Sequence, residues 1–170
     1  AIQHWLHFFE RETLALPEMV ETEDGMVLTT AALQHFLLYM LGADKTFLLP
    51  RAVWDVEFPL FSELQERKIT LEEKDAMNFT EFVEGLLECG YEHAHDPQLM
   101  PGQYRRVGDT LDIFPIQCED MFRIEFEFDT IANIRGLKDG EILPDHHKTL
   151  DLYPVNYQKT APLGRQIPKD

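Results

Sequence analysis

Phe122-Arg123-Ile124-Glu125-Phe126-Glu127-Phe128 alternates apolar and charged residues without a break. A period of two marks a strand with one buried face. The pattern therefore predicts Phe122, Ile124, Phe126 and Phe128 toward a core, with Arg123, Glu125 and Glu127 facing outward. Ile131-Ala132-Asn133-Ile134-Arg135 follows after a two-residue break, which predicts a hairpin. Upstream, residues 104–107 and 110–114 flank Gly108-Asp109, a turn signal. Downstream, Lys138-Asp139-Gly140 turns the chain again, and Leu150-Asp151-Leu152-Tyr153-Pro154 reads as one more short strand. The chain beyond Gly102 is thus expected to form a mainly antiparallel sheet.

Before Gly90 the period is 3.6. Asn78-x-x-Glu81 is a capping box ahead of Phe79, Phe82, Val83, Leu86 and Leu87, and Gly90 is the stop. Thr30 is placed to cap an earlier helix with a stripe of Leu33, Phe36, Leu37, Met40 and Leu41, ending at Gly42. Leu38 and Tyr39 make that helix apolar on its other side, so it wants cover on two faces. Met26-Val27-Leu28 reads as a short buried strand. At the start, Ile2, Trp5, Leu6 and Phe9 have helical spacing, closed by Leu14-Ala15-Leu16-Pro17 and followed by an acidic turn over 18–25. Residues 44–68 read as irregular, broken by Pro50 and Pro59. Residues 70–75 carry two signals: Thr70-x-x-Glu73 resembles a capping box, while Ile69 and Leu71 alternate as in an edge strand. The tail with Pro162, Gly164 and Pro168 reads as loop. The fold class is α+β.

At 170 residues the chain is one domain, or one domain with a fragment of another. A hydrophobic fraction of 44% and 12 Phe agree with a folded globule. Thirty-one acidic residues against 15 basic ones give a net charge of −16. That balance opposes binding to nucleic acid or to an anionic membrane, and it suits a basic protein surface or solubility alone. Cys89 and Cys118 have no metal-ribbon spacing, which makes a reducing cytoplasm the expectation. The longest apolar run, 36–42, is too short to cross a bilayer. The chain opens on a helical pattern without a capping residue, as a domain cut from a longer protein would.

Chemical motifs are sparse. Gly85 and Gly90 have the spacing of a phosphate loop, but Tyr91 follows where Lys is needed, and both lie in a helical pattern. His93-Ala94-His95-Asp96 on an extended segment would place two imidazoles on one face, and His146-His147 could complete a metal site. The other reading is polar filling of a loop. Cys89 has no base beside it in sequence. Arg105, Arg106 and Arg123 fall on predicted strands in an arginine-poor chain. They read equally as carboxylate-seeking contacts across an interface and as internal ion pairs.

The stretch Pro101-Gly102-Gln103-Tyr104-Arg105-Arg106-Val107-Gly108-Asp109-Thr110-Leu111-Asp112-Ile113-Phe114-Pro115 carries a family resemblance. So do Phe122-Arg123-Ile124-Glu125-Phe126 with Ile131-Ala132-Asn133-Ile134-Arg135, the helix end Glu88-Cys89-Gly90-Tyr91, and Leu152-Tyr153-Pro154. In this order they resemble the UvrA-interaction domain shared by the bacterial transcription-repair coupling factor and the excision-repair helicase UvrB. The likeness covers residues 70–157, and residues 26–41 more loosely. Pro101-Gly102 and Leu111-Asp112-Ile113-Phe114-Pro115 lean toward the coupling factor, whose corresponding region lacks ATPase motifs.

The resemblance implies three parts. Residues 1–44 would be a fragment of a helicase-like α/β domain, 45–143 the inserted UvrA-interaction domain, and 144–170 a returning strand and tail. It implies a non-catalytic, cytoplasmic module of nucleotide excision repair that recruits UvrA and packs against the rest of its own parent chain. No cofactor, metal, membrane or direct nucleic-acid contact is expected. The family's contact surface uses arginines on these strands and an aromatic beside them, which points to Arg105, Arg106, Arg123 and position 127. Arg123 matches one such arginine, and Arg105 matches an arginine of UvrB-like members. Val107 stands where an arginine is expected, with Arg106 one place earlier. Glu127 stands where the pattern has Phe, and Phe128 where it has Asp or Gly. The rival readings are the equivalent domain of UvrB, a structural domain without UvrA binding, and a metal-dependent enzyme at His93, His95 and His147.

Overall fold

The computed structural model describes residues 13–15, 20–22 and 25–167. The helix expected over 2–9 and most of the acidic turn over 18–25 lie outside the described residues. The chain divides into two compact units, Ala1–Glu63 with Tyr157–Asp170, and Leu64–Asn156.

The second unit carries β1 (Ile69–Glu72), α1 (Phe79–Glu88), β2 (Glu92–His93), β3 (Gln103–Val107), β4 (Thr110–Phe114), β5 (Met121–Glu127), β6 (Thr130–Lys138), β7 (Glu141–His146) and β8 (Thr149–Leu152). Six of these strands form one sheet in the order β7-β6-β5-β4-β3-β2. All its pairings are antiparallel except that of β2 with β3. Strands β1 and β8 form a separate antiparallel pair. The α+β expectation and the antiparallel sheet both hold. At residues 69–72 the alternation of Ile69 and Leu71 prevails over the capping-box signal, because pairing with β8 buries Leu71 against Leu150 and Leu152. That same pairing draws β8 into this unit.

One face of the sheet makes the core. Tyr104, Leu111, Ile113, Ile124, Phe126, Ile131 and Ile134 pack with Phe82 and Leu86 of α1 and with the β1–β8 pair. Full burial of each such side chain contributes roughly 1.5–3 kcal/mol. Helix α1 begins where the sequence says: the Asn78 side chain accepts from the backbone N–H groups of Thr80 (3.0 Å) and Glu81 (3.2 Å). Glu81 adds an acid to the first turn, where the helix dipole favours it. The helix stops at Gly90, with φ 85°, and a Cβ there would come within 3.0 Å of Asn156.

Phe128 departs from the sequence reading. It is 93% exposed rather than in the core. Strand β5 ends at Glu127, which pairs with Thr130, so Phe128 and Asp129 are the turn itself. Alternation holds only while the chain remains a strand.

In the first unit, helix Thr30–Met40 is capped by Thr29 rather than Thr30, with Thr29 Oγ1 accepting from the Ala32 N–H at 3.1 Å. Its second apolar side is covered, since Leu38 is buried and Tyr39 meets the Phe47 ring edge-on at 5.3 Å. The stretch read as irregular holds strands Thr46–Leu48 and Glu57–Pro59, which pair with Thr13–Ala15 and Thr160–Pro162. The tail read as loop supplies that last strand and the short helix Leu163–Gln166. It is fixed by Gln166, whose Oε1 accepts from the Phe61 N–H at 3.1 Å. Among the described residues no helix is long and apolar enough to cross a membrane.

Candidate partner-binding face

The outer face of the sheet is built by register. Arg105 on β3 lies opposite Asp112 on β4, Asp112 opposite Arg123 on β5, and Arg123 opposite Arg135 on β6. Directly opposed residues share a face, so these four side chains form one row across four strands. Asp112 is only 1% exposed and serves two arginines. Arg123 donates to it twice, Nε to Oδ1 at 2.7 Å and Nη2 to Oδ2 at 2.9 Å. Arg105 donates from Nη2 to Oδ2 at 3.2 Å. The hydrogen bond to Asp112 raises the pKa of Arg123 above its ordinary value, against an opposing effect of burial.

Two features make the row more than internal pairing. A guanidinium has five N–H donors, and the clamp on Asp112 leaves Arg123 its outer edge. The row also carries three guanidinium groups and one carboxylate. The Arg135 side chain makes no hydrogen bond or ion pair among the described residues, and its Nε is buried without a partner, as is that of Arg105. Unmet buried donors cost free energy that a partner's acceptors would recover. Next to the row, Glu125 accepts from Asn133 Nδ2 at 2.8 Å.

By the same alternation Phe114, Met121 and Leu137 share this face. With Leu99 they line an open cleft of about 580 Å³ whose charged lining is Glu119, Asp120, Lys138 and Asp139. The outer face thus runs from a largely apolar cleft, through the arginine row, to Glu125 and Glu127.

The residues singled out by sequence are not all brought together. Arg105 and Arg123 meet at Asp112. Glu127 is exposed at the end of β5, on the same side. Arg106 is on the opposite face, its guanidinium 4.3 Å from the centre of the Phe79 ring on α1. Its side chain therefore does not share the face of position 107. Asp112, Asn133 and Arg135 escaped the sequence reading. Alternation within 110–114 puts Asp112 outward, but its two arginine partners follow only from the strand register.

The histidines separate. His93 meets His95 edge-on at 5.0 Å and Tyr104 edge-on at 5.5 Å, whereas His147 sits edge-on to Phe122 at 5.1 Å, away from them. His146 Nε2 is 3.2 Å from Glu73. Among the described residues no cluster of three or more His, Cys, Asp or Glu is placed to hold a metal ion. Burial pushes the Cys89 thiol up and the Cys118 thiol to about 12, so both stay protonated at neutral pH, the opposite of an activated nucleophile.

Residues 69–157, just over half of the chain, match the family described as the UvrB interaction domain. The chain is 30% identical to UvrABC system protein B of Treponema denticola over 95 residues, 55% of this chain and 14% of that protein. It is 32% identical to the protein of the same name from Chloroflexus aggregans over 98 residues, again 14% of that protein and 56% of this chain. A third, from Methanococcus maripaludis, is 33% identical over 79 residues, 46% of this chain and 12% of that protein. The chain therefore spans about a seventh of the curated relatives it matches. These relatives favour UvrB, which corrects the expectation of the coupling factor drawn from Pro101-Gly102 and Leu111-Asp112-Ile113-Phe114-Pro115.

Proposed function

The chain belongs to the UvrB interaction domain family, and we propose that its outer sheet face recruits UvrA, as a non-catalytic module of UvrB-type nucleotide excision repair. The observation that carries this reading is the arginine row. Arg105 and Arg123 are held by the buried Asp112, and Arg135 beside them has no carboxylate of its own among the described residues. Such a surface is preorganised for planar, bidentate contact with carboxylates on a protein partner. It is a cationic strip on a chain of net charge −16, so a partner is guided to one place rather than attracted everywhere.

The Asp112 clamp also gives Arg123 a structural task, which favours the rival of a domain that only packs within its parent. Calorimetric titration of cognate UvrA into the chain at low and moderate salt separates the two. Saturable binding that weakens as salt rises is expected, since the contacts pair guanidinium with carboxylate. Absence of saturable binding at low salt contradicts the UvrA reading.

A further inference from the structure

The turn between β5 and β6 presents a bulky residue in a conformation that disfavours it. Phe128 has φ 55°, while Asp129 is not in the positive region. That sign pattern belongs to a type II′ turn, whose first central position favours glycine. A phenylalanine there carries backbone strain and, at 93% exposure, gains nothing from burial in its own fold.

The turn is also firmly mounted. The Asp129 carbonyl accepts from the Met77 N–H at 2.8 Å, and its carboxylate accepts from Asn78 Nδ2 at 3.2 Å. Asn78 is the cap of α1, so the hairpin tip is tied to the start of the helix. On the next hairpin, the Asp109 carbonyl accepts from the Phe126 N–H at 3.0 Å, which brings the Gly108-Asp109 turn alongside. The ring consequently stands on a rigid base, with exposed Glu127, Asp129 and Asp109 nearby and Val107 44% exposed at the neighbouring tip.

We infer that Phe128 is an aromatic anchor of the UvrA contact, entering an apolar pocket on UvrA whose rim is basic. This rests on the UvrA reading above and extends it from the arginine row to the hairpin tip. Rigid aromatic residues lose little freedom on docking and dominate interface energetics. The carboxylates around the ring select a rim of Lys or Arg and oppose stacking on nucleic-acid bases, whose phosphates they would repel. Phe128 lies five residues from Arg123 on the same hairpin, roughly 17 Å at strand rise, which is within the reach of one interface of ordinary size.

The test titrates cognate UvrA against the parent chain, Phe128→Gly and Phe128→Trp. Phe128→Gly is expected to bind about tenfold more weakly or worse, and to unfold at a higher temperature because the strain is relieved. Phe128→Trp should bind within about threefold of the parent, since it keeps an aromatic anchor. If the parent binds UvrA and Phe128→Gly binds equally well, this inference falls while the UvrA reading stands. If the parent does not bind UvrA, both fall. Sedimentation and a thymidine single strand complete the test. Self-association or strand binding by the parent that Phe128→Gly abolishes, with UvrA affinity unchanged, would assign the ring to a second copy or to nucleic acid and overturn the proposal.

Discussion

The two faces of the sheet are made from alternate residues of the same strands, yet different physics holds them. On the inner face Leu111, Ile113, Ile124 and Ile134 meet Phe82 and Leu86 through non-directional apolar contact. On the outer face Arg105, Asp112 and Arg123 are joined by hydrogen bonds that depend on direction and on having every member present. A residue lost from the inner face leaves a cavity. Removing one from the outer face leaves a charge without its partner, unless that residue is Arg135, whose side chain has none among the described residues. Stability and recognition are therefore entangled at Asp112 and Arg123 and separate at Arg135.

The largest expected effect is on the inner face. Phe82→Ala should lower the unfolding free energy by about 3–5 kcal/mol in a urea titration with unchanged slope. A loss under about 1 kcal/mol would mean that α1 does not close the core as described. On the outer face, Asp112→Ala should cost about 2–3 kcal/mol. It leaves two guanidinium groups facing each other, and their partial exposure keeps the figure below that of a fully buried pair. Adding Arg123→Met to Asp112→Ala should return part of that loss; a double variant less stable than Asp112→Ala would argue against the clamp.

Arg123→Glu sets a second carboxylate against Asp112 and should cost about 1–2 kcal/mol. Its effect on UvrA binding alone would thus mix folding with contact. Phe128→Gly is expected to change stability less, and with the opposite sign. A gain of about 1 kcal/mol is expected from relief of the left-handed conformation, seen as a higher melting temperature. A lower one would show that the ring supports the fold.

The same contrast explains what the sequence revealed. The inner face was legible because alternation over 122–126 needs no knowledge of partners. The turns at Gly108-Asp109 and Asp139-Gly140 were legible too, their glycines taking φ 62° and 83° where the backbone requires it. Phe128 was misread because alternation does not say where a strand ends, and no glycine marked the turn. The pairs Thr13–Ala15 with Thr46–Leu48 and Glu57–Pro59 with Thr160–Pro162 are three-residue strands whose partners are distant in sequence, so no local period betrays them. Residue types pointed to Arg105, Arg106 and Arg123, and only the structure separates Arg106 onto the opposite face. Only the register of β3, β4, β5 and β6 aligns Asp112 and Arg135 with Arg105 and Arg123. The proposed UvrA partner rests on family membership, since neither face reveals a partner by itself.

Arg135 and Arg106 offer the most direct test of the central claim, because they are arginines on opposite faces of one sheet. Cognate UvrA would be titrated against Arg135→Ala and Arg106→Ala, with melting temperatures recorded for both. The account predicts that Arg135→Ala binds about tenfold more weakly while its melting temperature hardly moves, and that Arg106→Ala binds within about twofold of the parent. Undiminished binding by Arg135→Ala, or a larger loss at Arg106, would contradict the assignment of the outer face.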